Sequence, residues 1–125
     1  PDLLPGEGGA YALYFDIRAP VVLRIPRFEN PHLDLGTYVY AGSAYGPGGI
    51  RARVTRHLRE DKAPHWNVDH LSTQVRCSRV ETYPKGRECD LIADLLANGA
   101  DIPIPGFGNS DCRTCVSHLV RLAGG

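Results

Sequence analysis

Apolar and polar positions divide the chain into short strand-like and helix-like stretches. Ala10-Tyr11-Ala12-Leu13-Tyr14-Phe15-Asp16-Ile17 is rich in β-formers, and Val21 to Ile25 follows after the break Arg18-Ala19-Pro20, which predicts a β-hairpin. Gly36 to Gly42 predicts a third strand that stops at glycine. The loop from Ser43 to Gly49 carries glycines and Pro47, after which Ile50, Val54 and Leu58 recur every four residues and predict a helix with one apolar stripe. A second helix is expected over Pro64 to Ser72, with Pro64 in its first turn, and a strand over Val75 to Thr82. Arg87 to Asn98 places Leu91, Ile92, Leu95 and Leu96 on one helical face, with Gly99 as its C-terminal cap. The tail alternates Pro and Gly from Pro103 to Gly108 and ends in a short strand through Ser117 to Val120. The pattern is that of an α+β fold, a sheet with covering helices.

Composition narrows the class. The 125 residues match one domain spanning 1–125, and a core of this size buries roughly two thirds of the unfolded surface. Hydrophobic residues make up 42% and charged residues 22%, too apolar for a disordered chain. No apolar run approaches the ~20 residues of a spanning helix and no signal-peptide pattern opens the chain, so a cytoplasmic domain without membrane contact is expected. A chain that begins at Pro1 and contains no Met is expected to be part of a longer protein. Fourteen basic and fourteen acidic residues cancel, which excludes a general polyanion-coating protein and directs attention to local charge. The densest basic stretch is Arg51 to Arg59, with four arginines and His57 in nine positions.

On the first helix, Arg53 and His57 are four apart and share a flank beside the apolar stripe. Arg53 lies near a helix start, where free N–H groups favour anions. A solvated basic face explains the same arginines equally well. Glu88 precedes Leu91 and Ile92 by three and four residues, which places a carboxylate on the apolar stripe of its helix. It is either a first-turn glutamate favoured by the helix dipole, the partner of an arginine, or a ligand for a hard cation such as Mg²⁺, which binds one carboxylate, waters and phosphate. Phosphodiester hydrolysis requires such a cation and an arginine for the phosphate.

Gly9-Ala10-Tyr11, Tyr40-Ala41-Gly42 followed by Ser43, the Ile50-x2-Arg53-x3-His57 helix and Glu88 at the start of a later helix together resemble the GIY-YIG nucleases. His65-Trp66-x2-Asp69, Pro105-Gly106-Phe107-Gly108 and Ser110-Asp111-Cys112 with Ser117-His118-Leu119 are similar to a subgroup sometimes joined to endonuclease III-type base-excision glycosylases. The resemblance implies a central three-stranded antiparallel sheet flanked by helices, with a C-terminal extension. It also implies DNA as partner, a one-metal cut using Mg²⁺ or Mn²⁺, and an associated DNA-repair domain. By the same resemblance Tyr11 or Tyr40 positions or deprotonates the attacking water, Arg53 holds the phosphate, His57 assists proton transfer and Glu88 binds the ion. A tyrosine serves as base only if its pKa of about 10 is lowered. The chain departs from the family pattern in two respects. Alanine replaces isoleucine in both tyrosine motifs, and the family's later asparagine has only Asn98 and Asn109 as candidates.

Cys112-x2-Cys115-x2-His118, with Cys89 beside Glu88, has the spacing of a structural Zn²⁺ site; a disulfide or buried free thiols are the alternatives. Two further classes share these features: a catalytically silent nucleic-acid-binding module using the Arg51 to Arg59 face, and a zinc-stabilised interaction domain. His65 and His70 are expected to be structural or surface residues, and Trp66 a core residue.

Overall fold

The structure is a computed structural model that describes residues 8–25, 28–44, 49–58, 69–104 and 117–122; the side chains of His57, Leu58 and Asp69 lie outside this description. Strand β1 (Gly9–Ile17) pairs antiparallel along its whole length with β4 (Gly36–Ala44), from Gly9 opposite Ala44 to Ile17 opposite Gly36. Between them in sequence, β2 (Val21–Val22) pairs with β3 (His32–Leu33) in a separate two-stranded ribbon. Helix α1 (Gly49–Leu58) follows β4, then α2 (Asp69–Ser72), β5 (Arg79–Pro84), α3 (Glu88–Ala97) and β6 (Leu119–Arg121). The main sheet has the order β5-β1-β4-β6 and its neighbouring strands are antiparallel.

The expected hairpin of Ala10–Ile17 with Val21–Ile25 does not form. After Pro20 the chain leaves the sheet, and both sides of β1 are taken by longer partners, nine residue pairs with β4 and six with β5. The α+β class stands, but the main sheet has four strands instead of the expected three. The addition is β6, which the tail supplies along the free edge of β4, with Leu119 opposite Tyr40 and Val120 opposite Val39. The third strand continues two residues past Gly42, the strand expected at Val75 begins at Arg79, and only the last turn of the expected second helix falls within the described residues.

Strand alternation sorts the core into two layers. Tyr11, Leu13, Phe15 and Ile17 of β1 join Tyr38 and Tyr40 of β4 and Leu119 of β6 under α1, whose Ile50 and Val54 are fully buried. The alternate residues Ala12, Val39, Ala41 and Val120 meet Ile92, Leu91 and Leu95 of α3 on the other face. The two helices therefore cover opposite faces of one sheet. Helix α3 ends as its sequence predicts: Gly99 takes a φ of 97°, and the amides of Gly99 and Ala100 donate to the carbonyls of Leu96 and Leu95 at 3.1 Å. Leu96, expected on the apolar face, is instead exposed.

If β6 belongs to the core, Leu119→Ala costs about 2–5 kcal/mol while Leu96→Ala changes stability by about 0.5 kcal/mol or less. Urea denaturation of the two variants measures this. Equal small losses would take β6 out of the cooperative unit.

Candidate functional site

The glycines of the two tyrosine motifs are required by close approach. A Cβ on Gly42 would collide with the Tyr11 hydroxyl, because the Tyr11 ring lies across the backbone of its cross-strand partner. A Cβ on Gly9 would lie 2.5 Å from the Tyr83 carbonyl oxygen of β5. Tyr11 and Tyr40 are both buried in the layer beneath α1. Arg53, half-buried on α1, donates from Nη1 to the Ser43 carbonyl at 3.3 Å, one residue beyond Gly42. Tyr11, Gly42, Ser43 and Arg53 thus meet where β1 begins and β4 ends. Helix α1 carries Arg51, Arg53 and Arg56 and has no acidic residue in its first turn. His57 lies on the same helix, but its side chain is outside the described residues.

Glu88 opens α3 on the opposite face, so the structure does not bring it onto the face of Arg53. Its carboxylate, the Cys89 sulfur and the His118 ring place one ligand atom each within 4.8 Å of one another. The Cys89 Sγ to His118 Nε2 distance is 3.9 Å. Glu88 and Cys89 are half-buried, and His118 is 5% exposed. His118 is fixed by the sheet, its carbonyl accepting from the Ala41 amide at 2.9 Å. Ala41 lies between Tyr40 and Gly42, so the two halves of the expected site sit at nearly the same level along the strands, on opposite faces.

Of the expected zinc ligands, Cys89 and His118 come together, while Cys112 and Cys115 lie outside the described residues. The Cys89 sulfur is held in a disulfide. A disulfide sulfur is no thiolate, so the expected ligation is not that of this oxidised form. Cys77 is a half-buried free thiol whose pKa burial pushes up. The donor set also tests the implied Mg²⁺. Mg²⁺ takes oxygen ligands, and only one of the three donor atoms is oxygen; once Cys89 is reduced, a carboxylate, a thiolate and an imidazole match Zn²⁺ and its neighbours. Asn98 does not complete the site. It caps α3, its Nδ2 donating to the Asp94 carbonyl at 2.8 Å, ten residues or about 15 Å along the helix from Glu88.

A polar strip on the α3 face escaped the sequence reading. Tyr14 and Tyr83 donate to Glu81 Oε1 at 2.6 and 3.0 Å, Arg79 lies 3.6 Å from Glu81 Oε2, and its guanidinium stacks 4.1 Å from the Tyr14 ring centroid. The period-two spacing of Arg79, Glu81 and Tyr83 was the available signal. The Tyr14 hydroxyl holds the Glu81 carboxyl below its ordinary value, and burial, with the bond to Glu81, pushes Tyr83 up to about 12. Beside the strip, Tyr14, Asp16, Thr37, Ser78, Arg79 and Leu122 line a cleft of about 350 Å³. None of the sequence-predicted site residues lines it.

The fold and site define a small α+β domain with a tyrosine–arginine cluster at one sheet end and a potential cation-binding triad on the opposite face. The chain belongs to the family described as domain of unknown function DUF123, which matches residues 10–124 and is a GIY-YIG-like, nuclease-related family. No curated protein and no solved structure matches it. Among the described residues, no helix is long and apolar enough to cross a membrane.

Gly42→Ala is expected to cost about 1–3 kcal/mol by displacing the Tyr11 ring. A double-mutant cycle with Tyr11→Ala should give a coupling of about 0.5–3 kcal/mol, and additivity would refute the contact. Because the folded pKa of Glu81 is lowered, its charge contributes stability above the ordinary value of 4.5 that is lost as pH falls below it. The stability difference between the parent and Glu81→Gln should therefore shrink on acidification; a difference independent of pH would remove the Tyr14–Glu81 bond as its source.

Proposed function

We propose that the chain is a divalent-cation-dependent DNA endonuclease domain that hydrolyses phosphodiester bonds. The observation that carries this reading is the gathering of Tyr11, Gly42, Ser43 and Arg53 at one end of the sheet, level with the helix start that bears Glu88. Ser43 links the two faces. Its carbonyl holds Arg53, and strand alternation turns its side chain toward the α3 face, two residues or roughly 7 Å of strand rise from the level of His118. A phosphodiester lying across the end of β4 would meet Arg53 from one side and the start of α3 from the other.

In this reading Arg53 binds a non-bridging phosphate oxygen and offsets the charge that develops there. The buried Tyr11 and Tyr40 fix the position of the attacking water and shield it from bulk solvent, and Arg51 and Arg56 hold the neighbouring backbone phosphates. His57 stands one turn beyond Arg53 for proton transfer. Glu88 would hold the cation, which supplies Lewis-acid charge to the leaving oxygen when bound. The resemblance to domains joined to base-excision glycosylases supports a role in DNA repair or processing, with a fused or associated repair domain as partner.

The separation of Glu88 from Arg53 across the sheet favours a second reading, a DNA-binding module without turnover. Labelled plain, nicked, flapped, branched and abasic duplexes incubated with Mg²⁺, Mn²⁺ or Zn²⁺ distinguish the two. Cleavage is expected, with losses of about 10²–10³-fold for Arg53→Ala and for Glu88→Gln. Binding that weakens with salt and is unaffected by metal, with no cutting of any substrate, would establish the module.

A further inference from the structure

Glu88, Cys89 and His118 form a donor set that the nuclease reading does not use, since that reading takes only the carboxylate. Their convergence is built by the fold. Consecutive helical residues point about 100° apart and do not ordinarily share a ligand. Here, at the first turn of α3, the longer Glu88 side chain and the shorter Cys89 both reach a histidine held from β6. Burial of Ile92 seats the helix on the sheet, and His118 is buried with its backbone tied to β4. The sulfur–nitrogen spacing is close to that around a bound ion, even with the sulfur in its disulfide. With Zn–S near 2.3 Å and Zn–N near 2.05 Å at tetrahedral angles, the two atoms stand about 3.6 Å apart. Cys89 Sγ and His118 Nε2 stand 3.9 Å apart.

We propose that in the reduced protein Glu88, Cys89 and His118 bind one zinc-class cation (Zn²⁺ or Co²⁺), and that oxidation of Cys89 to its disulfide closes this site. The switch requires Glu88 and His118 to stay in place while only the sulfur changes. Reduction by a phosphine converts the disulfide and one water into two thiols and a phosphine oxide. The Cys89 thiol then releases its proton as the cation binds. One oxygen, one nitrogen and one sulfur donor select a borderline cation over Mg²⁺, and three protein ligands leave a further coordination position for water or a substrate oxygen. The proposal deepens the nuclease reading by naming the ion that Glu88 holds, and depends on that reading only where activity is concerned.

The test is Co²⁺ titration of the 125-residue chain, purified free of metal and kept reduced with a phosphine. One equivalent should bind with a near-ultraviolet thiolate-to-cobalt charge-transfer band and the visible bands of low-coordinate cobalt. Cys89→Ser should abolish the charge-transfer band. His118→Gln and Glu88→Gln should each weaken binding by more than about 100-fold, beyond the 10–100-fold typical of outer-shell partners. The unreduced chain should bind no equivalent. Far-ultraviolet circular dichroism confirms that each conservative variant is folded. Cobalt bands unchanged by Glu88→Gln, or binding that survives oxidation, would overturn the proposal. The outcome separates from that of the nuclease reading: expected cobalt spectra without DNA cleavage remove the nuclease, whereas DNA cleavage by a reduced chain that gives no cobalt–thiolate band removes this site.

Discussion

The pairing of Gly9–Ile17 with Gly36–Ala44 commits two long strands to burial on both sides. Once that ladder exists, each strand must offer apolar residues in both phases, and each face must be covered. Helix α1 covers one layer and α3 the other. The close approach of Tyr11 to Gly42 belongs to the same constraint: a tyrosine ring fits between the sheet and α1 only where the facing strand carries no side chain. Removing space at that point affects the ladder, the packing beneath α1 and the position of the hydroxyl together.

Much of this was legible in the sequence, for identifiable reasons. Ile50 and Val54 at helical spacing marked α1, and Leu91, Ile92 and Leu95 with Gly99 marked both the face and the end of α3. Local pattern failed where partner choice decided the outcome. Val21 and Val22 have strand character, but nothing local says that their partner is His32–Leu33 instead of β1. The fourth strand came from the tail because the free edge of β4 was open to it, which is a property of the assembled sheet. Leu96 has the spacing of a buried residue yet is exposed.

The candidate site was legible by element and not by side. The sequence placed Tyr11, Tyr40 and Arg53 correctly at a strand end, a strand and a helix start, and placed Glu88 at a helix start. It carried no information on which face each helix would cover, and so none on whether the Arg53 that holds the phosphate and the Glu88 that binds the ion would share a face. The grouping of Glu88 and Cys89 with His118 joins residues about thirty positions apart and depends on β6 reaching β4. The cysteine spacing drew attention to His118, whereas the fold drew the carboxylate to it.

The two outer strands determine how this domain behaves beside other copies of itself. An exposed sheet edge is a template for further strands. On one side the edge is β6, only three residues long, with Arg121 already bridged to Asp101. On the other, β5 exposes Arg79, ends at Pro84, which has no amide proton to offer, and turns away at Lys85 with a φ of 63°. Among the described residues, neither edge gives an incoming strand a continuous, uncharged ladder. The domain can therefore be tethered at high local concentration within a larger protein while its sheet remains closed to its neighbours.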